Sequence, residues 1–93
     1  MILSHHKIKS KFLGLDDLKN LRKLNLSHNR IEKIEGLNNC PILEELNLEK
    51  NTISIIEGIS HLTQLKKLEL GMNRISKLDG ISIFSSFFYM KFH

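Results

Sequence analysis

The sequence predicts an α/β solenoid: a stack of short coils with a short parallel β-sheet on one face and turns and short 3-10 segments on the other. Three observations predict it. The same residue classes return every 22 positions: Leu21, Leu43, Leu65 and Phe87; Leu24, Leu46, Leu68 and Met90; Leu26, Leu48, Leu70 and Phe92. Within each copy an alternation such as Leu24-Asn25-Leu26 has the period of a short strand, and the stretch after it has the period of neither strand nor long helix. The apolar content is also lopsided, with 16 Leu and 12 Ile but no Ala, Val or Trp. A layered core mixes side-chain sizes to fill its gaps; one aliphatic size throughout is what a single unit copied several times produces.

The chain reads as one domain over residues 1–93, since this length supports a single core. The first repeat, 1–20, is degenerate. Ile2–Ile8 (ILSHHKI) echoes Asn25–Ile31 (NLSHNRI), with 23 residues between Leu3 and Leu26 and His6 in the asparagine position. Complete repeats follow at 21–42, 43–64 and 65–86, and a truncated one at 87–93. Strands are expected near 23–26, 45–48, 67–70 and 89–92. After each strand the chain must turn inward, where backbone groups lose water. The column Asn29, Asn51, Asn73 suits that place, because an amide both donates and accepts and a ladder of amides can satisfy those groups. The chain then returns through Ile31, Ile53 and Ile75 and through Ile34, Ile56 and Leu78. Gly14, Gly36, Gly58 and Gly80 mark the next corner, a position expected to need positive φ and no Cβ. Leu18, Cys40, Leu62 and Phe84 close each coil. In that column Cys40 is expected to act as a small buried hydrophobe.

This unit, LxxLxLxxNxIxxIxGLxxLxx, resembles the leucine-rich-repeat family in its 22-residue class, over nearly the whole chain. That class includes a regulatory subunit of protein phosphatase 1, a spliceosomal small-nuclear-RNP protein and an outer-arm dynein light chain. The resemblance implies a protein–protein interaction module that binds a partner protein through the concave face and carries no catalysis or cofactor of its own. A regulatory or targeting segment for a phosphatase, or a ciliary or cytoskeletal scaffold, are the alternatives it leaves open.

The matching concave positions are three columns followed by a fourth. They read Lys23, Glu45, Lys67, Tyr89; Asn25, Asn47, Glu69, Lys91; Ser27, Glu49, Gly71, His93; then His28, Lys50, Met72. The expected partner-binding residues are Lys23, Asn25, His28, Glu45, Asn47, Glu49, Lys67, Glu69 and Met72, with Asn29, Asn51 and Asn73 as the structural ladder. The alternation Lys23–Glu45–Lys67 also reads as a plain cross-strand ladder of exposed pairs, each worth ~0.2–1 kcal/mol. Carboxylates dominate the centre, so a basic partner patch is expected. Four strands ~4.8 Å apart make a face roughly 20 Å wide, small against the ~800 Å² per partner of a standard interface.

Other chemistries are disfavoured. The formal charge of +4 hints at nucleic acid, but repeat 43–64 nets −3 with Glu44, Glu45, Glu49 and Glu57 and interrupts the continuous basic stripe that phosphate tracking needs. Nucleic-acid association remains a minor alternative. No nucleophile elbow, phosphate loop or metalloprotease helix is present, so the chain is read as no enzyme. His5 and His28 fall in one outward column with His6 beside them, but no thiolate or carboxylate joins them, and no metal is assigned. Asn25-Leu26-Ser27 matches a glycosylation sequon on a core strand and is discounted. One cysteine excludes an internal disulfide. No apolar run approaches the ~20 residues of a membrane span, and the start lacks a signal-peptide apolar region. The expected compartment is the cytoplasm, with cytoskeleton, cilium or nucleus open.

The ends carry two further expectations. The chain begins and stops within a repeat and shows no polar cap, so it reads as a fragment of a longer array. Phe87, Met90 and Phe92 would project an uncovered apolar strand, which predicts self-association through the open ends.

Overall fold

A computed structural model describes residues 1–5, 7, 18–35, 37, 40–59, 61–78 and 89–91. The strands are β1 (Lys23–Asn25), β2 (Glu45–Asn47), β3 (Ile55–Ile56), β4 (Lys67–Glu69), β5 (Lys77–Leu78) and β6 (Tyr89–Lys91). A four-stranded parallel sheet runs in the order β1-β2-β4-β6. Each of its strands is one residue shorter than the alternation predicted, and β1, β2 and β4 end before the second inward leucine.

The register follows the repeat. Lys23 pairs with Glu45, Glu45 with Lys67 and Lys67 with Tyr89; the next row in register is Leu24, Leu46, Leu68 and Met90. A shift of one residue would turn every leucine outward, so the 22-residue period and the buried row enforce each other. Ile2 adds an isolated parallel bridge to Asn25. The Asn25 amide donates to the Met1 carbonyl (2.9 Å) and the Leu3 amide to the Asn25 carbonyl (2.8 Å), so residues 1–3 line the free side of β1.

The core sits behind this sheet. Leu24, Leu46 and Leu68; Leu26, Leu48 and Leu70; Ile31 and Ile53; Ile34 and Ile56; Leu37 and Ile59; Cys40 and Leu62; and Leu43 and Leu65 are all at most 3% exposed. Every column spans at least two repeats, so no coil buries its apolar residues without a neighbour. Leu3, Leu18, Leu21 and Ile75 pack against the cluster as partly buried members.

The return side differs in one respect from the expectation of turns and short 3-10 segments. β3 and β5 form a second, two-stranded parallel sheet, pairing Ile55 with Lys77 and Ile56 with Leu78. The ladder is extended by Thr52 N–H to Ile31 O, Arg74 N–H to Ile53 O and Ser76 N–H to Ser54 O. Beta-branched Ile53, Ile55 and Ile56 favour this extended backbone; a spacing of two inward residues in four hides it from a period-2 search. Beyond it the coil closes by successive i→i+3 bonds, Cys40 to Leu37 and Leu43 to Cys40 in one repeat, Leu62 to Ile59 and Leu65 to Leu62 in the next. Among the described residues there is no α-helix, so the helical half of the predicted class is represented by these tight turns and a 3-10 position at Leu37.

Gly58 has φ 72°, and a Cβ there would run into the carbonyl oxygen of Ile34. That corner therefore excludes any side chain on steric grounds as well as conformational ones. Gly14, Gly36, Gly80, Phe87 and Phe92 lie outside the described residues, as do the expectations attached to them.

Candidate partner-binding face

The outward face of the four-stranded sheet is built by alternation. In β1, β2 and β4 the middle residue is a buried leucine and its two neighbours point away from the core. The register then stacks Lys23, Glu45 and Lys67 in one row and Asn25, Asn47 and Glu69 in the next. A shallow groove of about 340 Å³ lies over this face, lined by these six side chains together with Met1 and Ile2.

Its charges are paired internally. Lys23 Nζ lies 3.4 Å from Glu45 Oε2, and Lys67 Nζ lies 3.6 Å from Glu69 Oε1. The side chain of Glu69 is 17% exposed and that of Lys23 73%. Glu69 is thus the most buried charge of the face and Lys23 the most exposed, while Glu45 and Lys67, at 39% and 43%, differ little. Pairs this accessible are worth little, ~0–1 kcal/mol each, so an incoming charge can displace them.

Asn25 and Asn47 are half-buried and turned to local use. Asn25 Oδ1 accepts the Ser27 N–H at 3.0 Å and the Ser27 hydroxyl at 2.7 Å; Asn47 Oδ1 accepts the Glu49 N–H at 3.0 Å. These are two-residue side-chain turns that end the strand.

The inner asparagines do different work. Asn51 Nδ2 lies within 3.2 Å of the carbonyl oxygens of Leu26, Leu48 and Glu49, and its Oδ1 accepts the Ile31 N–H at 3.0 Å. Asn73 repeats the pattern with Leu48, Leu70 and Gly71 as acceptors and Ile53 N–H as donor. Asn29 donates to Leu3, Leu26 and Ser27. Each side chain bonds its own turn and the preceding repeat, and among the described residues no buried side-chain N or O lacks a partner.

Two features escaped sequence reasoning. The residue before each inner asparagine is left-handed: His28 at φ 56°, Lys50 at 57° and Met72 at 59°, with His5 at 61° in the first copy. Non-glycine residues adopt this conformation at a cost of roughly 1–3 kcal/mol. It is held because the amides of His28 and Lys50 donate to Glu49 O and Gly71 O of the next repeat, both at 2.9 Å. Lys and Met carry no signal for it and His only a weak one; the repeat frame was what could have shown the column. The second feature is a charge row beside the face, where Arg22 Nη1 meets Glu44 Oε2 at 2.9 Å and Lys66 Nζ lies 3.9 Å from Glu44 Oε1. The 22-residue offset of Arg22, Glu44 and Lys66 was the available sign.

The remaining candidates sit as follows. Glu49 is half-buried; His28 and Met72 are exposed, Met72 by 58%. The His5 and His28 rings stack at a centroid distance of 4.4 Å with planes 27° apart. Desolvation, then His5, then Lys50 hold the His28 imidazole below its ordinary range, against an opposing pull from Glu49. His6 lies outside the described residues. Among the described residues no three His, Cys, Asp or Glu side chains converge for a metal ion, and no helix is long and apolar enough to cross a membrane. Cys40 is buried at 1% exposure, and desolvation pushes its thiol up.

A leucine rich repeat family model matches residues 19–75. The chain belongs to the leucine-rich-repeat family. The match spans β1 to β4, all three inner asparagines and the whole of the described polar face. Leucine-rich-repeat domains generally mediate protein–protein interaction and are typically non-enzymatic binding modules. A comparison with curated proteins gives no match.

Proposed function

We propose that this leucine-rich-repeat chain is a protein-interaction module of the 22-residue class, a single curved solenoid whose concave face is the outward side of β1, β2 and β4. The observation that carries this reading is the pair of polar rows, Lys23–Glu45–Lys67 and Asn25–Asn47–Glu69, aligned by the sheet register. The fold's own polar demands are met elsewhere, by Asn29, Asn51 and Asn73. Glu49, His28 and Met72 flank these rows and complete the surface offered to a partner. The partner is read as a protein with a basic patch: its cations would replace Lys23 and Lys67 over the carboxylates of Glu45 and Glu69, while its acidic groups meet the displaced lysines and set register. The cytoplasm is the proposed compartment.

The test compares two double charge reversals. Glu45→Lys/Glu69→Lys changes the face; Glu35→Lys/Glu57→Lys makes the same net change on half-buried residues of the return side. Against a partner captured by pull-down, the first pair should weaken binding and slow association, most strongly at low salt. The second should change little. Equal losses, or a larger loss from Glu35/Glu57, would refute the assignment of the face.

A further inference from the structure

The charges of the outward face fall into bands that run along the strands. Across the face the row Lys23–Glu45–Lys67 reads plus, minus, plus. Beside it Arg22, Glu44 and Lys66 stand at the same 22-residue offset and read the same way. The coils of β1, β2 and β4 therefore carry a positive, a negative and a positive band. Glu69 interrupts this order only in the next row, two residues along β4, where it draws Lys67 to 3.6 Å. Beyond β1 the pattern ends on apolar side chains. Met1 and Ile2 are exposed and line the same groove, and Ile2 bridges to Asn25 as a further strand would.

The spacing of the bands selects the shape that can match them. Parallel strands lie ~4.8 Å apart, so the second and third bands lie about 4.8 and about 9.6 Å from the first. A helix laid across the strands rises ~1.5 Å per residue and brings residues i+3 and i+7 to the same side as i, about 4.5 and about 10.5 Å along. An extended segment returns to one side only every ~6.7 Å. A polyproline helix does so every ~9.3 Å and passes over the middle band. On the α-helix the residue at i−4 falls about 6 Å before the first band, over Met1 and Ile2.

Resting on the assignment of this face to a partner, we infer that the partner presents an α-helix lying across the strands, with acid, base and acid at i, i+3 and i+7 and an apolar residue at i−4 against Met1 and Ile2. Its base meets Glu45 and its acids meet Lys23 and Lys67, whose present pairs are accessible enough to be exchanged or shared. Among the described residues this chain has no α-helix, so the helix is placed on another protein.

The probe is a lactam-bridged helical peptide, Leu-x-x-x-Glu-x-x-Lys-x-x-x-Glu, with its reverse-order form for the opposite helix direction. Each is titrated into the whole chain at low salt and followed by backbone amide shifts. The expected result is movement at residues 23–25, 45–47 and 67–69 with one of the two directions. Exchanging the charges to Lys, Glu and Lys on the same bridged helix should weaken binding at least roughly tenfold, since three contacts turn from attraction to repulsion. Glu45→Lys should reverse the preference at the middle position alone, favouring Glu there over Lys. No movement with either direction at millimolar peptide, equal binding of the charge-exchanged helix, or equal binding of an extended peptide with Glu, Lys and Glu at alternate positions would overturn the proposal. So would movement of the same amides when the chain alone is concentrated, which would give the face to a second copy. A captured partner that moves these strands while neither helix does leaves the face standing and rejects the helix.

Discussion

Asn51 and Asn47 are four residues apart in one coil and flank the same turn, yet they serve opposite ends of it. Asn51, 5% exposed, gives its NH2 to three carbonyl oxygens, one of them in the preceding repeat, and takes an N–H from that repeat on its Oδ1. Asn47, half-buried on the outer face, uses its Oδ1 to accept a single N–H two residues away. One amide binds repeats together, and the other only shapes its own turn. Residue type therefore does not decide the role. Position in the period does: the inward asparagine meets backbone that has lost water, where an unmade bond is costly, and the outward one meets backbone that water can satisfy.

The sharpest way to break this contrast is to exchange amide for carboxylate. Asn51→Asp keeps the acceptor for Ile31 N–H but sets an oxygen against the carbonyls of Leu26, Leu48 and Glu49, and a buried carboxylate with a single donor is expensive. It should destabilise the chain more than any other change at the turn, measured by urea denaturation. Asn51→Ala, which only removes the bonds, should cost ~1–3 kcal/mol. Asn47→Asp keeps the one acceptor in use and should stay within ~0.5 kcal/mol of the parent. Equal urea midpoints for Asn51→Asp and Asn47→Asp would end the distinction.

Two smaller effects extend the same comparison outward. Glu44→Gln removes the charge shared by Arg22 and Lys66 beside the face; because these partners are well exposed, the loss should stay under ~1 kcal/mol and vanish in high salt. Smallest of all is a pH effect at His28. Its folded pKa is depressed below the ordinary ~6.5, so the folded chain binds fewer protons than the unfolded one. The stability linked to it is whole above that value and declines as pH falls through it. The urea midpoint should fall slightly more between pH 7.5 and 5.5 for the parent than for His28→Asn.

How much of this was legible follows the same division. The inward columns were plain in the sequence, because apolar side chains must stack in register and asparagine at a buried turn has few alternatives; Leu24, Leu46, Leu68, Asn51 and Asn73 stand where the 22-residue period puts them. The strand pair at Ile55–Ile56 and Lys77–Leu78 was hidden, since two residues are too few to show alternation. The left-handed backbone at His28, Lys50 and Met72 was also hidden: at His28 and Lys50 it is held by bonds to the next repeat and not by the residues that adopt it. On the outer face the sequence supplied the rows but not their pairing. Lys23–Glu45 crosses strands as a ladder would, whereas Lys67 meets Glu69 within its own strand, a choice made by side-chain reach that a column of letters does not contain.

The central claim is that the inner amides hold the fold and so leave the outer rows free for a partner. Its most direct test is to map backbone amide shifts of the chain on addition of the captured partner. The account predicts perturbations concentrated at residues 23–25, 45–47 and 67–69, with residues 31–35 and 53–57 of the return side unmoved. Perturbations confined to the return side, with the outer rows silent, would contradict it.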